Sequence, residues 1–210
     1  MELLLGWLYL GLNMSHHIYN TKAFIINALP SGEADSIIVM YTEDFGLISA
    51  IAKGLRDMKS KLRYSLQELS YGTVALVRGR EFCRVTNAAT EISLFNKALA
   101  PSLRNVLASI LTFVKRFSPG EDRNDDIFES LKQISSFLFR HQKDISAEDA
   151  SIVVLVTQMR IMYSLGYIKN ISTNKNILTE VYSLENIKSW HNEESTLKRM
   201  IDEAVQISHL

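Results

Sequence analysis

The sequence predicts an α+β chain of two domains, a small closed β-barrel followed by an all-helical domain. In the first half, five short segments rich in Ile, Val, Phe and Tyr are separated by turn residues, the pattern of strands. Beyond about residue 95 the apolar residues recur every three to four positions, the helical period. Five turn-linked strands in fewer than 80 residues favour a barrel, because closure removes exposed sheet edges. We therefore predict an N-terminal extension over residues 1–18, the barrel over 19–96 and the helical domain over 97–210.

The predicted strands cover residues 19–29, 35–42, 46–54, 68–79 and 81–93. Turn signals at Pro30-Ser31-Gly32 and Asp44-Phe45-Gly46 divide the first three, and the last two meet at Arg78-Gly79-Arg80. Residues 55–67 are dense in charge and lack strand alternation. They predict a long loop with room for a helical turn.

Helices are predicted over residues 101–117, 125–141, 147–165 and 194–208. Ser146, followed by Glu148 and Asp149, is typical of a helix N-terminus, and Gly166 is typical of a helix end. Residues 152–156 are apolar at nearly every position, which predicts that the third helix is the buried centre of the domain. Residues 169–182 are polar and rich in Asn and Thr, so an irregular segment is expected there.

Composition excludes several classes of protein. A single cysteine, Cys83, rules out a disulfide framework and any zinc site built from cysteines, and it fits a reducing cytosol. The apolar run 3–12 has ten residues, whereas a bilayer span needs about 20. No Lys or Arg precedes this run and no small-residue cleavage site follows it, so it is not typical of a signal peptide. We expect a disordered or loosely docked extension, or a natural start at Met14, and in either case that the residues before Met14 are dispensable.

No pattern of catalytic or metal-binding residues is present. The five histidines lack the spacing of a metal motif, and the acidic residues near position 125 precede a predicted helix, where they favour its dipole. Cys83 lies among apolar strand residues without a neighbouring His, as a structural thiol does. We predict no catalytic residue, no metal and no cofactor.

The basic residues are concentrated in the barrel. Residues 53–84 contain eight basic and three acidic residues, so the net charge is 8 − 3 = +5, whereas residues 96–210 contain 14 of each. Basic residues on the loops of a small barrel are typical of phosphate-backbone binding, and Tyr64 and Tyr71 could offer rings for base stacking. The alternative is a merely solvated charged loop. The candidate DNA-binding residues, predicted to lie on one side of the barrel, are Lys53, Arg56, Lys59, Lys61, Arg63, Tyr64, Arg78, Arg80 and Arg84.

Three basic residues of the first predicted helix form a second candidate site. Arg104, Lys115 and Arg116 could dock an acidic peptide of a partner protein. The alternative is that they form a solvated helix face.

Several motifs, in order, resemble a known family. They are Gly32-Glu33-Ala34-Asp35, the TEDFGL hairpin at 42–47, AKGLR at 52–56, KSKL at 59–62 and VRGR at 77–80. In the second half the segments VKRFSPGEDRNDDIFESL (114–131) and MRIMYSLGYI (159–168) continue the likeness. From residue 19 to 168 the chain resembles the bacterial recombination mediator family RecO.

This resemblance implies an OB-fold barrel and a non-enzymatic role in recombinational DNA repair, in the bacterial cytoplasm at the nucleoid. Family members bind single- and double-stranded DNA, anneal complementary strands and work with the partner RecR. Together they help RecA displace single-strand-binding protein. Many members also carry a four-cysteine zinc site after the segment matching LGY, but residues 169–182 contain no cysteine, so we expect no bound zinc. Two alternatives remain open: a protein-interaction adaptor, and an RNA-binding module without a repair role.

Overall fold

The N-terminal half of the chain is a closed five-stranded β-barrel. The computed structural model of the chain describes residues 17–79, 82–93, 100–169 and 175–208. Its strands are β1 (Ile18–Ser31), β2 (Asp35–Thr42), β3 (Gly46–Ala52), β4 (Ser70–Arg78) and β5 (Cys83–Ser93). They close in the order β1-β2-β3-β5-β4, with β3 and β5 parallel and every other pair antiparallel. This is the five-stranded barrel of OB type that the sequence predicted.

Strand alternation fills the barrel interior. Ile25, Ile38, Met40, Ile48 and Leu76 point inward and are buried, as the period of two requires. Residues 18–24 of β1 pair with β4 and residues 23–31 pair with β2, and the register of the second pairing shifts between residues 25 and 27. One long strand thereby closes the barrel.

Five α-helices are present among the described residues of the second half of the chain. They are α1 (Pro101–Phe117), α2 (Asp125–Arg140), α3 (Ala147–Ser164), α4 (Leu184–Trp190) and α5 (Glu194–Ser208). The Ser146 side chain and Asp149 form a reciprocal capping box at the start of α3, and Gly166 follows its end with φ of +79°. Ile152, Val153 and Val156 are fully buried, and α3 contacts the other four helices. The prediction of a central third helix is confirmed.

Two expectations about the helical half need correction. Helix α4 was not predicted. Only Ile187 and Trp190 of its seven residues are buried, and two buried residues are too few to show a helical period. The segment expected to be irregular contains a short 3-10 turn, Lys175–Leu178. No helix among the described residues is long and apolar enough to cross a membrane.

The proposed domain boundaries stay a prediction. The expected change of domain at residues 95–99 lies outside the described residues, as does the N-terminal segment before Met14. The last strand ends at Ser93 and the first helix begins at Pro101.

The helices cover one part of the barrel's outer surface. Phe24, Ile26, Val39, Tyr41 and Tyr71 point outward from the barrel and are buried in a core shared with the helices. Polar contacts join the halves as well, among them the hydrogen bond from the Leu47 N–H to the Gly120 carbonyl (3.1 Å) and the one from Lys115 to the side-chain oxygen of Asn27 (2.8 Å). Any ligand of the barrel must therefore bind elsewhere on its surface.

Candidate nucleic-acid interface

The long connection between β3 and β4, residues 53–69, closes one end of the barrel. Leu55 and Leu66 are buried in the barrel core, and the predicted helical turn is present as a 3-10 turn, Lys61–Arg63. We call residues 53–69 the basic loop. Because two buried leucines anchor it, its polar residues are held against the barrel end and directed outward.

Hydrogen bonds tie the start of the basic loop to the β1–β2 turn. The Gly54 N–H donates to the Asp35 carboxylate (2.9 Å), and the Arg56 N–H donates to the Ala34 carbonyl (2.9 Å). The Arg56 guanidinium also donates to the Gly32 carbonyl (3.0 Å). The loop therefore lies at the end of the barrel that carries the β1–β2 turn.

Five cations of the basic loop are exposed to solvent. They are Lys53, Arg56, Lys59, Lys61 and Arg63. With Asp57 and Glu68 as its acids, the loop has a net charge of 5 − 2 = +3, and adding Glu33 and Asp35 of the adjoining turn still leaves +1. Tyr64 is 76% exposed beside them, so a ring and a group of cations share one surface.

Arg78 lies at the opposite end of the barrel. It pairs with Glu121 (3.2 Å) and lines a small cavity of about 70 Å³ with Phe45 of the β2–β3 turn. The β1–β2 turn and the β2–β3 turn lie at the two ends of β2. The eight residues of this strand make seven steps of about 3.3 Å each, so its ends are about 23 Å apart. The prediction that all candidate cations lie on one side is therefore wrong for Arg78.

The end of the barrel that carries Arg78 is acidic. Glu43 and Asp44 form its turn, and residues 120–125 from the helical half lie against it, as the Gly120–Leu47 hydrogen bond shows. The net charge of the side chains at this end is 2 − 5 = −3. The two cations are Arg78 and Arg123, and the five acids are Glu43, Asp44, Glu121, Asp122 and Asp125. The two ends of the barrel therefore carry net charges of opposite sign.

The remaining candidate residues of the barrel, Arg84, Arg80 and Tyr71, differ in their exposure to solvent and in whether the structure describes them. Arg84 is exposed on β5, where it pairs in register with Ile51 of β3. Arg80 lies outside the described residues. Tyr71 is buried against Phe24, with ring centroids 4.6 Å apart, and this burial raises the pKa of its hydroxyl. Tyr71 therefore cannot stack on a base, contrary to the sequence-based expectation.

The basic residues of α1 have neighbours of their own. Lys115 is engaged with Asn27, the Arg116 guanidinium lies 4.9 Å from the centre of the Phe117 ring, and Arg104 is half-buried. Docking of an acidic partner peptide on this helix stays a prediction.

Sequence reasoning missed two exposed apolar side chains in the barrel connections. Phe82 is 59% exposed in the β4–β5 turn and Met58 is 92% exposed in the basic loop. Phe82 follows the RGR step after one residue, Glu81, and an aromatic residue close to basic residues in a turn is a signal that could have identified it.

Metal-ligating side chains do not cluster in the part of the chain that the structure describes. Among them, no group of three His, Cys, Asp or Glu side chains is placed to hold a metal ion. Cys83 is half-buried, and burial raises the pKa of its thiol, which disfavours the reactive thiolate.

A closed five-stranded OB-type barrel with a basic loop at one end, packed against a helical bundle, defines the class of protein: an OB-fold protein with a helical domain. The family model described as "Recombination protein O N terminal" matches residues 14–92, which include β1 to β4 and all of β5 except its last residue. Residues 14–92 therefore match the N-terminal domain of the RecO family, and relatives named DNA repair protein RecO match the chain as well.

Relatives with the same name match beyond the barrel. The chain is 36% identical over 115 residues to the DNA repair protein RecO of Dehalococcoides mccartyi (strain ATCC BAA-2266 / KCTC 15142 / 195), covering 55% of this chain and 46% of the relative. It is 28% identical over 156 residues to the RecO of Heliobacterium modesticaldum, covering 74% and 54%. For the RecO of Thermodesulfovibrio yellowstonii the identity is 26% over 166 residues, covering 78% and 65%. The chain thus spans about half the length of the curated relatives it matches first.

Proposed function

We propose that this protein is a DNA-binding recombination mediator that acts in recombinational DNA repair and that it binds DNA through the basic loop. The observation that carries the proposal is the group of five exposed cations, held on one end of an OB-type barrel by the buried Leu55 and Leu66. The family supplies the biological context: the matched relatives are named DNA repair proteins.

The geometry suits binding to phosphates. Lysine and arginine side chains on an anchored loop neutralise phosphates and release condensed counterions, which favours binding at low salt without reading the base sequence. The acidic opposite end repels the same phosphates, so the bound strand is confined to the loop end of the barrel.

Annealing follows from the same electrostatics. Two complementary strands repel each other, and a surface that neutralises part of the phosphate charge lowers the cost of bringing them together. We propose this role for the basic loop, with no catalytic residue, cofactor or metal.

The proposed partners and setting follow the family. They are single- and double-stranded DNA, the partner RecR, and single-strand-binding protein displaced in favour of RecA, in the bacterial cytoplasm at the nucleoid. Arg104, Lys115 and Arg116 on α1 are proposed as a docking site for a protein partner.

The test is a triple substitution, Lys59→Ala, Lys61→Ala and Arg63→Ala, compared with the unaltered protein in fluorescence-anisotropy titrations of labelled DNA at several salt concentrations. We expect weaker binding to all sequences alike, and a log–log salt slope that is shallower by about 0.7 for each lost phosphate contact on single strands. Folding should survive, because exposed substitutions usually change stability by about 0.5 kcal/mol or less.

A matched control removes three exposed cations from the helical half: Arg140→Ala, Lys143→Ala and Lys188→Ala. The net charge changes equally in both variants, so only the position of the charge differs. An unchanged affinity and salt slope in the folded loop variant would move the DNA site away from the basic loop. Equal weakening in both variants would show a nonspecific charge effect.

A further inference from the structure

The end of the barrel that carries the β2–β3 turn, which we call the acidic end, contains a small apolar cavity of about 70 Å³. Its apolar lining is formed by Tyr19, Phe45, Ile48, Leu76 and Cys83. The rings of Tyr19 and Phe45 meet edge to face, with centroids 5.5 Å apart. A cavity needs only about 15 Å³ to hold one water molecule. This cavity is several times larger, and its lining suits an apolar side chain better than water.

Acidic side chains lie close to this cavity. Glu121 lines it beside Arg78, with which it forms an ion pair (3.2 Å). Asp44, which is exposed, directly precedes Phe45 in the β2–β3 turn. The acidic end as a whole has a net charge of −3. The cavity therefore fits a ligand that places one apolar side chain among several cations.

The basic loop at the other end of the barrel has these properties. Met58 is 92% exposed, and Arg56, Lys59 and Lys61 are exposed cations close to it in the chain. The loop as a whole has a net charge of +3. A methionine side chain is unbranched and flexible, so it fills irregular apolar cavities well. The two ends of the barrel are therefore complementary to each other in charge and in apolar surface.

Met58 cannot reach the cavity of its own chain. The basic loop and the β2–β3 turn lie at opposite ends of β2, about 23 Å apart, which is much longer than a methionine side chain. The contact therefore requires two copies of the chain. An exposed apolar group that fits a pocket elsewhere on the same molecule makes a head-to-tail contact, which leaves one loop and one pocket free for further copies.

We infer that the protein associates with itself head to tail, with Met58 of one copy in the acidic-end cavity of the next. The cations beside Met58 then face the acids around that cavity. The inference rests on charge and apolar surface and not on the proposed function, so either can fail without the other. One loop covers little surface, so the contact is weak, with a Kd on the order of 100 μM. In dilute solution the basic loop is free.

The test is sedimentation velocity at protein concentrations up to about 500 μM, with one variant for each side of the contact. Met58→Ser removes the apolar side chain of the loop and leaves the cavity intact. Asp44→Lys combined with Asp122→Lys reverses two exposed acids beside the cavity and leaves the loop intact. The controls are Met58→Leu, and Glu148→Lys combined with Asp202→Lys, which reverses two exposed acids of the helical half. Thermal unfolding checks that each variant folds.

We expect the average mass of the unaltered protein and of both controls to rise with concentration beyond that of a dimer. The loop variant and the cavity variant should each associate about tenfold more weakly or worse. Association should also weaken with added salt, which screens opposite surface charges.

A mixture of the loop variant and the cavity variant gives the sharpest result. It should form one-to-one dimers and nothing larger, because one variant supplies only a cavity and the other only a loop. The inference would be overturned by an unaltered protein that stays monomeric at the highest concentration. Normal association of either folded variant, or a mixture that stays monomeric, would overturn it as well.

Discussion

At the scale of single residues, one buried arginine organises the segment before α4. Arg160 of α3 is buried, and its guanidinium donates to the carbonyl oxygens of Ile177 (2.9 Å) and Glu180. The same group lies over the rings of Tyr182 (4.6 Å) and Trp190 (5.6 Å). Residues 175–182, irregular by sequence, are thereby fixed to the central helix.

Replacing this arginine should destabilise the protein strongly. Arg160→Met keeps an apolar side chain of similar length but leaves two carbonyl oxygens without donors, which should cost about 3 kcal/mol. For a chain of this size the midpoint of thermal unfolding should fall by about 6 to 12 °C. The exposed Arg140→Met is the matched control and should leave the midpoint nearly unchanged. A midpoint shift no larger in Arg160→Met than in that control would show that the contacts to Ile177 and Glu180 contribute little.

At the scale of elements, the strands were predictable because their Ile-, Val-, Phe- and Tyr-rich segments are bounded by turn residues, whereas a short helix was not predicted. β2 alternates buried and partly exposed residues in its first half and was predicted with its observed ends, residues 35–42. α4 has only two buried residues, and so few contacts leave no period to recognise. The basic loop was predictable in part. Its charge is visible in the sequence, but nothing in the sequence shows that its two anchoring leucines are buried while their neighbours are exposed.

The anchoring of the basic loop predicts its resistance to proteolysis. Leu66 is buried, so Leu66→Ala should cost about 2 to 4 kcal/mol and release the loop from the barrel end. Trypsin cleavage after Lys59, Lys61 or Arg63, followed by mass spectrometry, should then become faster. Met58→Ala, at a position that is 92% exposed, should leave both stability and cleavage rate unchanged. Equal cleavage rates in the two variants would contradict the anchoring role of Leu66.

At the scale of the whole molecule, the positions of the candidate binding residues around the barrel could not be predicted from the sequence. A strand connection does not reveal at which end of a barrel it lies until the strand order is known, and this is why Arg78 was grouped with the basic loop. Tyr71 was assigned to stacking because nothing in its strand shows that the helices cover it. The helical half therefore shapes the candidate interface in two ways, by burying one part of the barrel and by bringing acids to the Arg78 end.

The junction between the two halves can be tested at one glycine. Gly46 has φ of +65°, and an added Cβ would lie 2.1 Å from the backbone oxygen of Asp122. Gly46→Ala must therefore displace the backbone at residue 122 as well as strain its own backbone, and we expect a loss of more than about 2 kcal/mol.

Gly32→Ala is the matched control for the junction. Gly32 has φ of +61° with open space around it, so only the backbone strain of about 1 kcal/mol applies. Equal losses of stability in denaturant unfolding of the two variants would mean that the contact with residue 122 does not hold the two halves together.

The central claim is that the two ends of the barrel differ, with DNA bound at the end that carries the basic loop. The most direct measurement is a salt-dependent titration of single-stranded DNA with two charge-reversed proteins: Lys61→Glu combined with Arg63→Glu, and Arg78→Glu at the opposite end. We expect the loop reversal to weaken binding by about tenfold or more and to flatten the salt dependence, whereas Arg78→Glu should bind within about twofold of the unaltered protein. Strong loss of binding in Arg78→Glu together with normal binding in the loop reversal would contradict it.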